Sequence, residues 1–245
     1  MSLYGQAAIV CTFPMPAGRK FDWHSHSEHQ LAWSPEGVLV VRTESGSFVL
    51  PPARALWIPA GTAHETQSSG TAVLRSVYVR TNRCAIKWNA PTPVAVTPLL
   101  RELIPHLEVT ELDEKARARG EAVLFDLLAP IAVASIDARL PSDDRARHVA
   151  DALLAEPADS RTLAEWGHDV GASSRTLARA FLTETGLSFG RWRTLVRLQA
   201  ALVQLAEGLP VNVVAARVGY ATPSAFVSAF RAHTGVTPGR YFQTT

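Results

Sequence analysis

The sequence predicts a multidomain protein: an N-terminal all-β barrel or sandwich, a helical connector, and a C-terminal all-α domain with two helix-turn-helix units. Three observations predict this organisation. Short β-branched and aromatic runs broken by Pro and Gly fill the chain up to about Val79. After a proline-rich stretch, every apolar pattern has helical periodicity. The last part of the chain contains a weak duplication at an offset of 48 residues.

Composition places the chain among globular proteins. Of its 245 residues, 47% are hydrophobic and 19% are charged, which provides apolar material for buried cores and excludes a disordered protein. No apolar run reaches the roughly 18 to 20 residues that cross a bilayer, and no positive segment precedes the first apolar stretch. We therefore expect a cytoplasmic protein. Cys11 and Cys84 lack CxxC spacing, which excludes a disulfide framework and a thiolate zinc cluster.

The N-terminal strands are predicted from apolar and β-branched runs. A hairpin is predicted around Glu44-Ser45-Gly46, which separates two strand-like runs. Trp23, Trp33 and Trp57 lie at strand spacing, and we expect them in the core. The predicted runs are residues 6–13, 21–26, 29–33, 37–43, 46–50, 55–59 and 72–79 within a domain of residues 1–90.

A connector is predicted over residues 91–141. Pro91, Pro93 and Pro98 space an extended segment, and helical apolar stripes follow between residues 99 and 131. These stripes must be buried against the barrel, against each other or against a second chain. We expect linker and dimerisation helices here, and hence a homodimer.

Charge is distributed unevenly along the chain. The formal net charge is only +2, yet from Gly171 to the end there are eight arginines and two glutamates. A basic C-terminal third is the electrostatic footprint of a polyanion-binding module. A solvated surface of arginines would have the same composition, so the arrangement of these residues must decide.

The C-terminal domain, residues 142–245, contains the duplication. Residues 163–192 parallel residues 211–241, and each copy has a helix, a tight turn with Gly, and a second helix with a Ser or Thr N-cap. This is the spacing of a helix-turn-helix motif. The long helix between the copies, residues 191–206, would place them about one DNA turn, roughly 34 Å, apart on one duplex face.

The outward positions of both second helices are the predicted DNA contacts. Arg can bind the O6 and N7 atoms of guanine, while Ser and Ala contact thymine methyl groups or admit bridging water. In the first copy the inward stripe is Leu177, Ala180 and Phe181, and in the second it is Phe226, Ala229 and Phe230. The predicted DNA-binding residues are Ser173, Ser174, Arg175, Thr176, Ala178 and Arg179 in the first copy, and Thr222, Ser224, Ala225, Ser228 and Arg231 in the second.

This domain resembles the AraC/XylS family of bacterial transcription regulators. The resemblance is carried by GASSRTLARAFLTETGLSFGRW, by Ala215–Tyr220, by Phe226–Phe230 and by Gly235–Tyr241. It implies that the outward positions of both second helices contact DNA. The expected partners are double-stranded DNA, a second copy of the chain and RNA polymerase. The alternative from the residues alone is an all-helical packing module.

The N-terminal domain resembles the cupin barrels. The pattern Gly18-x5-His24-x-His26-x3-Gln30-x6-Gly37 matches the first cupin motif, with Gln30 in place of the usual Glu. The second motif keeps Pro59-x-Gly61-x-x-His64, while Ala53 and Ser68 replace Gly and Asn. The expected fold is therefore a cupin-like barrel.

Four residues of these motifs form a candidate metal site. If the strand has no bulge, strand parity places His24, His26 and Gln30 on one face with His29 on the other, and His64 can join them from a neighbouring strand. Three imidazoles and one oxygen could bind Zn, Ni, Mn or Fe as a divalent ion, more weakly than with a carboxylate. Alternatively, these histidines hydrogen-bond one another or an organic effector.

The combined prediction is a sequence-specific DNA-binding transcription regulator controlled by a small ligand or metal in the barrel. We expect no enzymatic activity and no catalytic residues. The second hypothesis is a cupin-type metalloenzyme, a dioxygenase or isomerase, with an accessory DNA-binding domain. A purely architectural DNA-binding protein would leave the barrel unexplained.

Overall fold

The structure is a computed structural model that describes residues 6–109, 112–131 and 138–242. It forms two compact units, of which the first holds the described residues up to 131 and the second holds residues 138–241. The first unit is built of strands with two helices, and the second is all-α. The predicted fold class is thus confirmed. Among the described helices, none is both long and apolar enough to cross a membrane.

Two antiparallel sheets form the first unit. The five-stranded sheet has the order β1-β8-β3-β6-β9, and the four-stranded sheet has the order β2-β7-β4-β5. The strands are β1 (Ala8–Met15), β2 (Lys20–His24), β3 (His29–Trp33), β4 (Leu39–Thr43), β5 (Gly46–Leu50), β6 (Arg54–Ile58), β7 (His64–Ser68), β8 (Ala72–Val79) and β9 (Thr92–Ala95).

The five-stranded sheet is buried on both faces. In β3, Ala32 packs into the core between the sheets, whereas Leu31 and Trp33 pack on the opposite face. In β6 the inner residue Leu56 likewise alternates with the outer residue Trp57. This two-sided burial explains the nearly continuous apolar runs of these strands.

The predicted hairpin is confirmed, and two strands lie outside the predicted runs. β4 and β5 pair from Thr43 and Gly46 outwards, so Glu44 and Ser45 form the turn. β7 has a polar sequence, HETQS, which carries no apolar signal. β9 lies within the predicted extended connector and pairs with β6 at the edge of its sheet, where Pro93 is tolerated.

Two helices cover the outer face of the five-stranded sheet. α1 (Pro98–Glu108) and α2 (Glu114–Leu127) each begin with a side-chain cap, from Thr97 and Asp113 respectively. Their buried apolar residues are Leu100, Ile104, Leu107 and Leu124, with Leu128 after α2, and all join the core formed by Trp33 and Trp57. The structure therefore groups both helices with the β domain. The domain boundaries at residues 90 and 141 stay predictions, and residues 110–111 and 132–137 of the connector lie outside the described residues.

One core prediction is wrong. Trp33 and Trp57 are fully buried, but Trp23 is 50% exposed. The reason is its position in β2, an edge strand whose pairing with β7 shifts register between Phe21 and His24. Strand parity cannot be carried through such an irregularity.

The second unit contains seven helices within its described residues. They are α3 (Asp144–Ala155), α4 (Leu163–Asp169), α5 (Ser174–Thr185), α6 (Phe189–Ala206), α7 (Val211–Arg217), α8 (Pro223–Thr234) and α9 (Pro238–Tyr241). We call α4 and α5 the first motif and α7 and α8 the second motif. Trp166, Phe181 and Trp192 form part of the core that joins the first motif to α3 and α6.

Candidate functional site

The first motif presents the outward face that the sequence predicts. Ser173 caps α5 by accepting the N–H of Thr176 at 3.0 Å, and α5 ends at Gly186, whose φ is 74°. Leu177 and Phe181 are fully buried. The residues predicted to face outward from α5 are all exposed: Ser174, Arg175, Ala178 and Arg179.

The second motif repeats this geometry. Thr222 caps α8 by accepting the N–H of Ala225 at 3.2 Å, Pro223 occupies the first turn, and Gly235 ends the helix. Phe226 and Phe230 are buried. The outward residues of α8 are again exposed: Ser224, Ala225, Ser228 and Arg231.

These two outward faces carry positive charge that the protein itself does not neutralise. Arg175, Arg179 and Arg231 form no ion pair with any residue in the described part of the chain. Such guanidinium groups are available to phosphates or base edges. Ser173, Thr176 and Thr222 are tied to helix capping, so any DNA contact they make would come from residues that also fix the helix start.

Three histidines of the β domain come together at one end of the two sheets. His24 ends β2, His64 begins β7, and His26 lies in the loop between β2 and β3. The ligand atoms of these side chains lie within 4.8 Å of one another. We call these residues the histidine cluster. His26 therefore reaches the cluster from a loop, and the predicted continuous strand from His24 to Gln30 is wrong because β2 ends at His24 and β3 begins at His29.

Hydrogen bonds fix the tautomer of each imidazole in the cluster. Each Nδ1 lies close to a backbone carbonyl oxygen: Asp22 O at 2.6 Å for His24, Glu28 O at 2.7 Å for His26 and Thr62 O at 2.9 Å for His64. A carbonyl oxygen only accepts, so each Nδ1 donates a proton. In the neutral ring the lone pair is then on Nε2. The Nε2 of His64 is buried without a hydrogen-bond partner among the described residues.

Gln30 directs an oxygen at the cluster. Its Oε1 lies 3.1 Å from Nε2 of His26, while its Nε2 donates to Ser76 Oγ at 2.7 Å. Gln30 and Tyr78 are register partners on β3 and β8. Burial raises the pKa of Tyr78, against a smaller lowering by a hydrogen bond with Ser76. The Gln30 amide is thus held by the buried hydroxyl of Ser76 on the neighbouring strand β8.

Burial keeps His64 ready to donate its lone pair. Desolvation lowers the pKa of His64, outweighing the hydrogen bond to Thr62, and the charges of His24 and His26 lower it further. A neutral imidazole is the form that binds a metal ion. The environment therefore favours the ligating form of His64.

An ion-pair bridge holds the strand that carries His24. Glu65, next to His64 on β7, contacts Lys20 of β2 at 3.0 Å and Arg42 of β4 at 2.6 Å. Burial alone would raise the pKa of Glu65, but the hydrogen bonds from Arg42 and Lys20 outweigh it and lower the pKa. Both flanking strands are thereby fastened to β7.

A cavity adjoins the cluster between the two sheets. Its volume is about 30 Å³ for the centres of water-sized atoms, and His24 and Gln30 belong to its wall. The remaining lining residues are Phe13, Phe21, Thr66, Leu74 and Tyr78. The wall therefore combines side chains that can ligate or hydrogen-bond with apolar ones.

His29 lies apart from the cluster, as strand parity predicts. Its ring stacks on Trp57 with a centroid distance of 5.1 Å, and its Nδ1 accepts the N–H of Ala60. Sequence reasoning missed Ser76 and Tyr78. Their i, i+2 spacing in β8 was a signal for inward polar residues, but identifying their partner requires the register with β3.

Comparisons with known proteins match both units. A family model described as an AraC-like ligand binding domain matches residues 6–128, and a model described as a helix-turn-helix domain matches residues 166–244. The HTH-type transcriptional regulator NimR of Escherichia coli (strain K12) is 32% identical over 221 residues, which are 89% of this chain and 81% of NimR.

Two further proteins are similar over different extents. The HTH-type transcriptional regulator RipA of Corynebacterium glutamicum is 44% identical over 102 residues, which cover 42% of this chain and 31% of RipA. A solved structure of ToxT from Vibrio cholerae matches 96% of this chain and 98% of the ToxT chain at 9% identity, with a TM-score of 0.40.

Proposed function

This chain belongs to the AraC family of helix-turn-helix transcription regulators, and we propose that the ligand of its N-terminal domain is a divalent transition-metal ion. As a family member it is a DNA-binding transcription regulator with an N-terminal ligand-binding domain. We place the metal at the histidine cluster and Gln30. We further place the protein in the cytoplasm, where DNA and RNA polymerase are its partners.

The observation that carries this proposal is the convergence of lone pairs. Three backbone carbonyls hold the Nδ1 protons, so three Nε2 lone pairs are left for a shared ligand. Metal-binding histidines are oriented in this way by hydrogen bonds from the other ring nitrogen. The unpartnered, buried Nε2 of His64 supports a ligand that accepts electron pairs.

The donor set suits zinc, nickel, manganese or iron as a divalent ion. Imidazole suits zinc and nickel, and an oxygen donor extends the range to manganese and iron. Gln30 supplies oxygen without charge, so the ion keeps its full positive charge at the end of the cavity. That charge would attract an anionic group that enters the cavity.

We infer sensing, rather than catalysis, as the role of this site. Within the described residues the clustered ligands are three histidines without a carboxylate, so no acidic side chain stands beside the ion to accept a proton. An organic effector is the competing ligand, because Phe13 and Phe21 give the cavity an apolar wall. It would use the histidines as hydrogen-bond partners.

We also propose that the protein is a homodimer that binds DNA through α5 and α8. Leu99 is 57% exposed and Val123 38% exposed on the helices that cover the five-stranded sheet. Exposed apolar side chains on these two helices support association with a second copy. The exposed arginines of α5 and α8 support contacts with DNA.

The test combines metal analysis with DNA binding by the full-length protein. A duplex is selected from a random DNA pool by the purified protein, and its affinity is measured with chelator and with added zinc, nickel, manganese or iron. We expect about one metal ion per chain and an affinity that changes when the metal is removed. If the protein binds none of these ions and its DNA affinity is unchanged by all of them, the organic effector remains as the ligand.

A further inference from the structure

Arg197 connects two parts of the DNA-binding unit that are distant in sequence. Its Nε donates to Pro157 O at 3.0 Å and its Nη2 donates to Asp159 O at 3.1 Å, both in the loop that precedes the first motif. Its Nη1 donates to Gly219 O at 3.0 Å, in the turn of the second motif. One guanidinium therefore binds backbone carbonyls from a segment that precedes α6 in the chain and from a segment that follows it.

The turn of the second motif also approaches this loop directly. A Cβ atom on Gly219 would lie 2.9 Å from Ala158 Cα and 2.9 Å from Arg197 Nη2. Gly171, the equivalent residue in the first motif, has the same left-handed backbone, with φ of 64° against 83°, but open space around it. Glycine is thus needed for conformation at both turns, and for close approach only at Gly219.

The hydrogen bonds of the Arg197 guanidinium go to backbone carbonyls and not to a carboxylate. Three carbonyl oxygens accept its protons, and its guanidinium lies 5.8 Å from the ring centre of Tyr220. Burial lowers the pKa of Arg197, and the charge of Arg193 adds to this lowering. A planar fork of donors can meet three carbonyls at once, whereas the ammonium of Lys cannot reproduce that geometry.

These contacts close a ring in the chain. From Arg197 the chain continues along α6, turns at Gly208 with φ of 86°, passes through α7 and returns to Arg197 at Gly219. Without the closing contact, the loop around Gly208 would be the hinge between α6 and the second motif. With it, the second motif is fixed to the loop that precedes the first.

We propose that Arg197 is the positioning residue that fixes the two helix-turn-helix motifs relative to each other, and so sets the spacing of the two DNA elements that one chain binds. One added base pair turns the second element by about 34–36° and moves it about 3.4 Å along the duplex. A fixed pair of motifs cannot follow that change, while a hinged pair can.

Arg193 provides a matched control on the same helix. It lies one turn earlier, donates from Nη1 to Arg161 O at 2.9 Å, and packs over Phe189. The backbone group that it holds precedes the first motif, as two of the acceptors of Arg197 do. Among its described hydrogen bonds, none reaches the second motif. Replacing it removes one hydrogen bond from α6 to this loop and leaves the closure at Gly219 intact.

The experiment measures spacing tolerance with the full-length protein. A duplex is selected from a random pool by the wild-type protein, and variants of it are made with one base pair inserted or deleted between the two protected elements. Affinities are measured for wild type, Arg197→Met and Arg193→Met. We expect the wild type and Arg193→Met to lose about tenfold on each altered duplex, the cost of misplaced base contacts. Arg197→Met should bind the original duplex more weakly than wild type does. Its affinity for the altered duplexes should be less than about threefold below its affinity for the original duplex.

A purely stabilising role gives a different result. The decisive quantity is the ratio of the affinity for the original duplex to the affinity for an altered duplex. If Arg197→Met lowers the melting temperature or the affinity but keeps the wild-type value of this ratio, the proposal is overturned. If Arg197→Met does not fold, Arg197→Lys is used, since it keeps the charge and can still reach one carbonyl. A folded Arg197→Lys protein with a reduced ratio supports the proposal, and one with the wild-type ratio contradicts it.

Discussion

The Nε2 atom of His26 lies 3.1 Å from Oε1 of Gln30, so two atoms that both carry lone pairs face each other. With Nδ1 of His26 donating to Glu28 O, a neutral ring has no proton for this contact. A metal ion bound to both atoms, or a second proton on His26, satisfies both. A rotation of the Gln30 amide that exchanges its oxygen and nitrogen would instead place a donor beside Nε2 of His26. Substitutions distinguish metal binding, protonation and amide rotation.

Gln30→Glu should tighten metal binding, because a carboxylate adds the negative charge that the amide lacks. We expect at least a tenfold lower dissociation constant for zinc or nickel by calorimetry, on the scale known for changes around metal ligands. His26→Ala should abolish stoichiometric binding. If Gln30→Glu weakens binding instead, the amide serves as a hydrogen-bond donor and the oxygen ligand is wrong.

His29→Ala is the control for that experiment. His29 is adjacent to Gln30 in sequence but packs on Trp57, on the far side of β3 from the cluster. Its loss should reduce stability through packing and leave the metal content unchanged by elemental analysis. Loss of metal in this variant would show that the assignment of the two strand faces is incorrect.

Metal-free protein should lose stability in mild acid through His64. Burial lowers the pKa of His64 below the usual 6.5, so the unfolded chain binds this proton at higher pH than the folded chain. The free energy of unfolding therefore falls as the pH drops from about 6.5 towards the folded pKa. Urea unfolding at about pH 7.5 and 5.5 measures this. His64→Asn keeps a donor for Thr62 O but cannot titrate. Its free energies of unfolding at the two pH values should therefore differ less than those of wild type.

The cluster was predictable from the sequence because its residues sit in motifs with fixed spacing. His24, His26, Gln30 and His64 were all identified, and the structure brings them together. Ser76 and Tyr78 were not, since their place beside Gln30 depends on which residues of β3 and β8 are paired. Such long-range register is not encoded in local alternation.

Arg175 and Arg179 should each contribute to base recognition. Changing either to Ala should cost about 1–3 kcal/mol of binding free energy and relax the preference at particular base pairs. The measurement is affinity across single-base variants of the selected duplex. Arg147→Ala is the control, because Arg147 on α3 is paired with Asp151 at 3.0 Å. Equal weakening on every duplex would instead identify phosphate contacts.

The homodimer should depend on the exposed side of α1 and α2. Leu99→Lys with Val123→Lys should give a monomer at micromolar concentration by light scattering, since charges would be buried in the interface. Leu182→Lys is the control: Leu182 is 57% exposed but lies on α5. A wild-type protein that is monomeric both free and on DNA would contradict this prediction.

The charge pattern alone does not separate arginines that face solvent from arginines that hold the fold together. Eight arginines in the C-terminal third predicted DNA binding, and Arg175, Arg179 and Arg231 are indeed exposed on α5 and α8. Arg193 and Arg197 belong to the same count but donate to backbone carbonyls within the protein. A formal charge does not say whether an arginine faces solvent. Only the packing of α6 shows that Arg193 and Arg197 bind backbone carbonyls within the protein.

Glu121 should anchor the beginning of the first strand. Its buried carboxylate on α2 accepts the N–H groups of Ala7 and Ala8 at 3.1 and 3.0 Å. Glu121→Leu should cost about 1–3 kcal/mol of unfolding free energy, because these buried donors lose their acceptor. Hydrogen exchange at Ala7 and Ala8 should rise. Glu114→Leu on the exposed first turn of α2 is the control and should leave exchange at these amides unchanged.

The pairing of β1 with β8 has a consequence for synthesis on the ribosome. β1 emerges first, yet its strand partner is β8, and Glu121, which holds its start, emerges later still. The earliest segment of the domain is therefore among the last to be fixed. A nascent chain that stalls before β8 has emerged would present β1 as an unpaired strand, the kind of surface on which chaperones act.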